Sequence, residues 1–235
     1  MPTEREVKRR YDQARIDAKK GKYAEALEGC LFFLDNGGSA GVRLSYTLSD
    51  IMALSEHLPD ARIALETRRD RCEASILDGS GGWQEIHDFT SFNKYLDERD
   101  RSLALLEQIS HIPKLQELHA TLLNHLWERL ATEGQYEKLA SIIEDEARNI
   151  AGYLARHYVV WSFLTEGSDE HSRDLGMIRR QVAQASLAYE VLMAVHKDRV
   201  AETLLRWVLR CDPTGEAEAL MSAAAAKAGR GSDSK

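Results

Sequence analysis

The sequence predicts an all-α fold, and three observations carry the prediction. Alanine, leucine, glutamate and arginine recur along all 235 residues with only four prolines, and these are the residues that lose least on entering a helix. No sustained alternation of valine, isoleucine and threonine marks a strand, while apolar residues return at three- and four-residue steps. The 43% hydrophobic content provides for a sizeable core, so disorder is not expected.

The first helix reads from Glu4 to Lys20, and "GKY" ends it, because Gly21 leaves α geometry at little steric cost. A second helix runs from Tyr23 to about Leu34. Its Tyr23, Ala26, Leu27, Cys30, Leu31 and Leu34 form one apolar stripe that a single hairpin cannot bury. The same hairpin therefore has to recur, and it does. "LATEGQYEKLASIIEDEA" repeats the Gly-x-Tyr turn with Gly134 and Tyr136 and places Leu139 where the first unit has Ala26. "SEHLPDARIALETRRD" offers Ala61, with Pro59 in the first helical turn, where a missing N–H costs nothing. "LDERDRSLALLEQI" offers Ala104 after a helix carrying Phe89, Phe92 and Tyr95, and "VHKDRVAETLLRWVLRCDP" offers Ala201, closed by Asp212-Pro213.

Positions 26, 61, 104, 139 and 201 are separated by 35, 43, 35 and 62 residues. With the Gly-x-Tyr turns, Ala14 as the small residue of the first helix, and proline after the last, this pattern resembles the tetratricopeptide repeat (TPR) family. Glu56 and Arg99 stand where the turn glycine of the two middle units belongs, so those units rest on spacing and apolar pattern. The resemblance implies a right-handed α-solenoid of about five helix pairs in one domain, residues 1–229, with units near 4–35, 41–77, 83–110, 113–149 and 175–213. Two inserts lengthen it: the glycine-rich loop "DGSGGW" at 78–83, and residues 150–174, an aromatic-rich helical extension and then the loop "EGSDEHSRD" at 166–174. A long helix from about Leu175 leads into the last unit. The alanine-rich segment 215–229 is the expected capping helix, and 230–235 the expected disordered tail.

No stretch approaches the roughly 20 apolar residues of a membrane span, and the charged start "MPTEREVKRR" has no apolar segment behind it, so a cytoplasmic location is expected. Cys30, Cys72 and Cys211 are odd in number and far apart, which indicates reduced, buried thiols rather than a disulfide framework or zinc knuckle. No catalytic motif is visible, and neither a cofactor nor a metal is expected. His111, His119 and His125 fall close together in sequence, but His119 and His125 lie about 240° apart around a helix and cannot share one ion unaided. The acidic run Glu144-Asp145-Glu146 diverges for the same reason.

The net charge is −7, yet Arg5 to Lys22 holds eight basic and three acidic residues, a local +5 that leaves −12 elsewhere. The patch Lys8, Arg9, Arg10, Lys19 and Lys20, with Arg15 and Lys22, has few interleaved aromatics, which disfavours nucleic acid. The TPR resemblance implies a concave groove lined by the first helix of each pair, holding a peptide or a partner's helix. Carried onto this chain, the groove positions are Tyr11, Arg15, Tyr46, Asp50, Phe89, Asn93, Asn124, Glu128, Ser186 and Glu190. TPR domains that clamp a chaperone's C-terminal carboxylate use Lys, Asn and Arg there. Asp50, Glu128 and Glu190 are acidic instead, so a basic or amphipathic helical partner is expected. The function implied is a non-enzymatic protein-interaction module, an adaptor, regulator or neutralising partner. The alternatives are a helical enzyme with a site drawn from His111, His119, His125, His157 and His171, and nucleic-acid binding through the basic first helix. Tyr153, Tyr158, Trp161 and Phe163 are either packing or a partner surface, and the oligomeric state is left open.

Overall fold

The computed structural model describes residues 2–37, 40–164 and 166–232, and the fold is all-α, with no strand among the described residues. The chain divides into two compact units, Met1–His125 and Leu126–Lys235, where the sequence leads one to expect a single domain.

The first unit contains α1 (Glu4–Lys19), α2 (Tyr23–Asn36), α3 (Ala40–Arg43), α4 (Tyr46–Ser55), α5 (Pro59–Asp78), α6 (Trp83–Tyr95), α7 (Arg99–Ile109) and a 3-10 turn, Pro113–Leu115. Helix α8 (Gln116–Thr132) carries the boundary. Sequence-adjacent helices pack on one another: α1 on α2, α2 on α4, α4 on α5, α5 on α6 and α6 on α7. One buried cluster runs through Tyr11, Ala14, Ala26, Cys30, Leu34, Leu48, Ile51, Ala61, Leu65, Phe92 and Leu96. Where α1 crosses α2 the contact is tightest at Gly29, whose added Cβ would lie 2.7 Å from Ala14 Cβ and 3.0 Å from the Arg10 carbonyl oxygen. No side chain fits between the two helices there.

The second unit contains α9 (Tyr136–Leu139), α10 (Ile143–Phe163), α11 (Asp169–Ala194), α12 (Asp198–Cys211) and α13 (Ala217–Ser232). Helix α11 is its centre and packs against α9, α10, α12 and α13, which is why Ile178, Val182, Ala185, Ala188, Val191 and Leu192 are all buried. Asp212 receives the N–H groups of Thr214 (2.9 Å) and Ala217 (2.8 Å), so it satisfies the otherwise orphaned start of α13.

One turn recurs in both units. Residues Gly21, Asp97, Gly134 and His196 have φ of 74°, 60°, 74° and 60°. In each case the next residue donates its N–H to the carbonyl five positions back: Lys22 to Asp17 (3.0 Å), Glu98 to Asn93 (2.8 Å), Gln135 to Leu130 (2.8 Å) and Lys197 to Leu192 (2.8 Å). This is the Schellman closure of a helix. Five residues beyond each left-handed position stands a buried residue: Ala26, Ser102, Leu139 and Ala201. The third unit is thereby corrected. Its left-handed residue is Asp97, not Arg99, and Ser102 occupies the position expected of Ala104, which is exposed. Glu56 keeps right-handed geometry, and Pro59 opens α5 after a tighter turn.

Other boundaries shift as well. Helix α10 runs unbroken through residue 149, so the expected unit end there is absent. Helix α11 begins at Asp169 because Ser168 caps it, accepting the His171 N–H at 3.1 Å. Most of the loop expected at 166–174 is therefore helical. Helix α13 continues past 229 to Ser232, and 233–235, the rest of the expected tail, lie outside the described residues.

Replacing Gly29 with alanine is expected to lower stability by about 1–3 kcal/mol through overpacking, despite alanine's better helix propensity. Denaturant unfolding measures it, and an unchanged midpoint would show that α1 and α2 separate at no cost.

Candidate functional site

The expected groove positions meet different fates. In the first unit Tyr11, Arg15 and Asp50 do come together: the Tyr11 hydroxyl donates to Asp50 at 2.7 Å, and Arg15 Nε lies 3.6 Å from the same carboxylate. Burial first and the Asp50 bond second hold the Tyr11 phenol well above its ordinary pKa, and the ring stacks on Phe33. Arg15 and Asp50 line a cleft of about 380 Å³ that also takes in Lys19, Tyr23 and His57. Tyr46 is exposed. Phe89 and Asn93 are core residues, fully buried, and Asn93 Nδ2 donates to Ser102 at 3.0 Å. Neither is available to a partner.

In the second unit Glu190 is buried, accepts a hydrogen bond from the Tyr136 hydroxyl and pairs with Lys227 at 2.7 Å. Burial and that bond push the Tyr136 phenol up to about 12. Glu128 is exposed but accepts from Gln184 at 2.6 Å. Asn124 is exposed and Ser186 half-buried. The acidic groups expected to receive a basic ligand are thus engaged by the protein itself.

The histidines do not converge on a metal, and no group of three or more potential ligands exists among the described residues. His157 Nδ1 lies 2.8 Å from Asp174. His171 stands against Trp161, their ring centres 5.1 Å apart. His111 is exposed and His119 half-buried, its basicity reduced by burial. His125 instead meets a residue that sequence spacing does not connect to it: His87 of α6, edge to face at 5.2 Å, with Trp83 stacked on His87. His87 Nδ1 is buried without a partner. Burial lowers the pKa of both rings, and at His125 the neighbouring His87 lowers it further. Asp88 opposes the shift at His87 and Arg43 adds to it.

The basic patch spreads over more than one face of α1, with Lys8, Arg15 and Lys19 on the same side of the helix. Lys8, Arg9, Arg10, Lys19 and Lys20 are exposed, but consecutive positions point about 100° apart. Arg10 is partly engaged by Glu6 at 3.4 Å and lies over the Phe32 ring at 4.1 Å. A larger cleft of about 670 Å³ holds Arg43, Arg68 and Arg71 beside Trp83 and Cys72. Two of its cations are neutralised internally, Arg43 by Asp88 and Arg68 by Asp35 at 2.6 Å. Behind it, buried Arg69 and its neighbours Arg62 and Arg101 are held by Glu98, Asp70 and Glu73, tying α5 to the start of α7.

The surface with unmet apolar demand is on α10 and α12. Ala147, Ala151, Gly152 and Ala155 of α10 face Val200, Leu204 and Trp207 of α12 across a groove of about 320 Å³. Beyond the groove α10 continues with Val159, Val160 and Phe163 exposed, Phe163 at 86%. The aromatic segment is therefore split. Tyr158 and Trp161 stack on each other, half-buried, while Tyr153 and Phe163 face outward. Gly152 has nothing within 4 Å of where a Cβ would stand. No signal in the sequence marks it, since a lone glycine inside a helical pattern reads as tolerated.

Comparison with protein-family models, curated proteins and solved structures gives no match. No helix among the described residues is long and apolar enough to cross a membrane.

Two outcomes are expected from these contacts. A histidine whose pKa is lowered in the fold binds its proton more readily when unfolded. Its contribution is intact above the unfolded value of about 6.5 and is lost as pH falls through the lower folded value. The melting temperature should drop between about pH 7 and 5, and the drop should be smaller in His125→Gln, as thermal melts across pH will read. Separately, Glu98→Ala leaves buried Arg69 with only Asp70 and should cost about 2–3 kcal/mol, checked by urea unfolding. A loss under about 0.5 kcal/mol would mean that the network contributes nothing net.

Proposed function

We propose that the chain is a non-catalytic protein-interaction module built from TPR-like helix pairs, and that it receives a partner's helix in the α10/α12 groove. The recurring turn at Gly21, Asp97, Gly134 and His196, with a buried residue five positions on, supports the repeat reading. Three unpaired cysteines suit a reducing compartment such as the cytoplasm.

The observation that carries the binding reading is Gly152. A glycine inside a helix costs roughly 0.5–1 kcal/mol relative to alanine, and at this position nothing in the protein requires it. At the edge of the groove it would let another backbone approach closely, although Gly176 of α11 has equally open space. The neighbours fit that purpose, because Ala147, Ala151 and Ala155 keep the floor low while Trp207 and Leu204 supply apolar walls. A shallow apolar trough with a small-residue floor is how a helix-in-groove site is made. The Arg15–Asp50 cleft is the less suitable receptor, since Asp50 is already engaged by Arg15 and by the Tyr11 hydroxyl.

Gly152→Ala should raise stability by about 0.5–1 kcal/mol, as chemical denaturation will measure. Gly152→Leu, which has room in the free protein, should leave the fold intact and fill the trough. Co-purification from native lysate would compare wild type, Gly152→Leu and Arg15→Glu. A protein retained by wild type and by Arg15→Glu but lost with Gly152→Leu is the expected result; retention indifferent to Gly152→Leu would sink the groove assignment.

A further inference from the structure

We infer that the occupant of the α10/α12 groove is an acidic amphipathic helix, an inference that rests on the groove reading above. The uncovered stripe runs along α10 from Ala151 to Phe163, about 18 Å of helix, and is lined with cations. Arg148 borders the groove itself. Arg206 and Arg210 of α12 surround Trp207 at its open end, the Arg210 guanidinium 5.9 Å from the indole centre. Arg156 lies over the exposed Tyr153 ring at 5.5 Å.

These cations differ from the arginines that the fold neutralises internally, as do Arg5, Arg71, Arg99 and Arg180, which also form no ion pair among the described residues. Arg43, Arg62, Arg68, Arg69 and Arg101 are held by carboxylates on other helices or by several at once. Arg156, Arg206 and Arg210 form no ion pair among the described residues: two rest on aromatic rings and Arg206 reaches only the Glu202 carbonyl oxygen at 3.4 Å. Arg148 has one partner, Asp145 at 2.7 Å, with both side chains about 70% exposed, a pairing of little net worth in water. A chain of net charge −7 thus places four unpaired or weakly paired arginines around the exposed apolar stripe of α10 and α12.

That charge selects among occupants. A second copy related by a two-fold axis would set this rim against itself, bringing arginine to arginine. A basic helix, the partner expected from the sequence, meets the same repulsion. A helix with glutamates or aspartates flanking its apolar stripe places carboxylates on Arg148, Arg156, Arg206 and Arg210 while its small or leucine side chains enter beside Gly152 and Trp207. The complex would weaken with added salt, since the rim contacts stay near solvent.

The test uses the full chain and defined peptides. Three fluorescently labelled helices of about 17 residues, long enough to span the stripe, share one leucine/alanine face and carry either Glu, Lys or Gln on its flanks. Anisotropy titration measures their affinities. The Glu peptide should bind at least about tenfold tighter than the Gln peptide at low salt and should lose that margin in Arg148→Glu/Arg206→Glu/Arg210→Glu. The Lys peptide should bind only that variant. Lys or Gln peptides binding wild type as tightly as Glu, with all lost in Gly152→Leu, would overturn the acidic partner while leaving the groove standing. Binding of the Glu peptide undiminished by Gly152→Leu would place it elsewhere and overturn both. No binding by the Glu peptide overturns the inference, and the co-purification with Gly152→Leu then decides the groove by itself. Sedimentation of the free chain completes the set: a dimer that Gly152→Leu dissociates would make a second copy the occupant and overturn the acidic helix.

Discussion

The packing of this protein hangs on a single local constraint, the hydrogen bond from the residue after a left-handed turn to the carbonyl five positions earlier. That bond closes one helix and fixes where the next begins, and the residue five beyond the turn is buried in all four cases. That residue is small in three of the four, Ala26, Ser102 and Ala201, and a leucine in the fourth, Leu139. At Gly21 and Gly134 the left-handed conformation costs little, whereas at Asp97 and His196 it costs about 1–2 kcal/mol. Asp97 is compensated by its neighbour. Glu98, pulled into place by the turn, reaches Arg69 on α5, so the strained residue delivers a carboxylate to a buried cation.

Much of this is readable from residue types. The stripe of Ala26, Leu27, Cys30 and Leu34, the turn glycines, Pro59 at the start of α5 and Asp212-Pro213 after α12 each act within one or two turns of chain, and each lies where its chemistry says. The left-handed turn before α7 sits two residues from where Arg99 led one to expect it, because Asp97 does the work of a glycine, and an aspartate in a left-handed conformation leaves no compositional trace. The loop before α11 is shorter than its polar residues suggest, since they come after Ser168, whose hydroxyl caps a helix instead of ending one. Contacts between distant segments are not readable at all. His87 meets His125 across two helices, and no spacing rule links them.

The proposed binding surface shows the same limit from another side. Acidic residues at presumed groove positions invite the idea of a basic ligand, but charge in a sequence is not charge at a surface. Asp50 and Glu190 are consumed by tyrosines and cations of the protein's own structure. Around the apolar trough, by contrast, arginines stand without a buried partner, on a chain whose total charge has the opposite sign. Composition describes the sum, and recognition acts on the remainder.

The three thiols have a practical meaning of their own. Cys30 and Cys211 are buried and Cys72 is half-covered; burial pushes the Cys30 and Cys72 thiols up to about 12 and raises Cys211 as well. Alkylating reagents attack the thiolate, which these sites withhold for as long as their helices stay packed. Each cysteine belongs to a different helix, α2, α5 and α12, so the order in which they become modified is a natural record of which helix breathes first. The chain carries its own reporters of local opening, one of them on the helix that walls the groove.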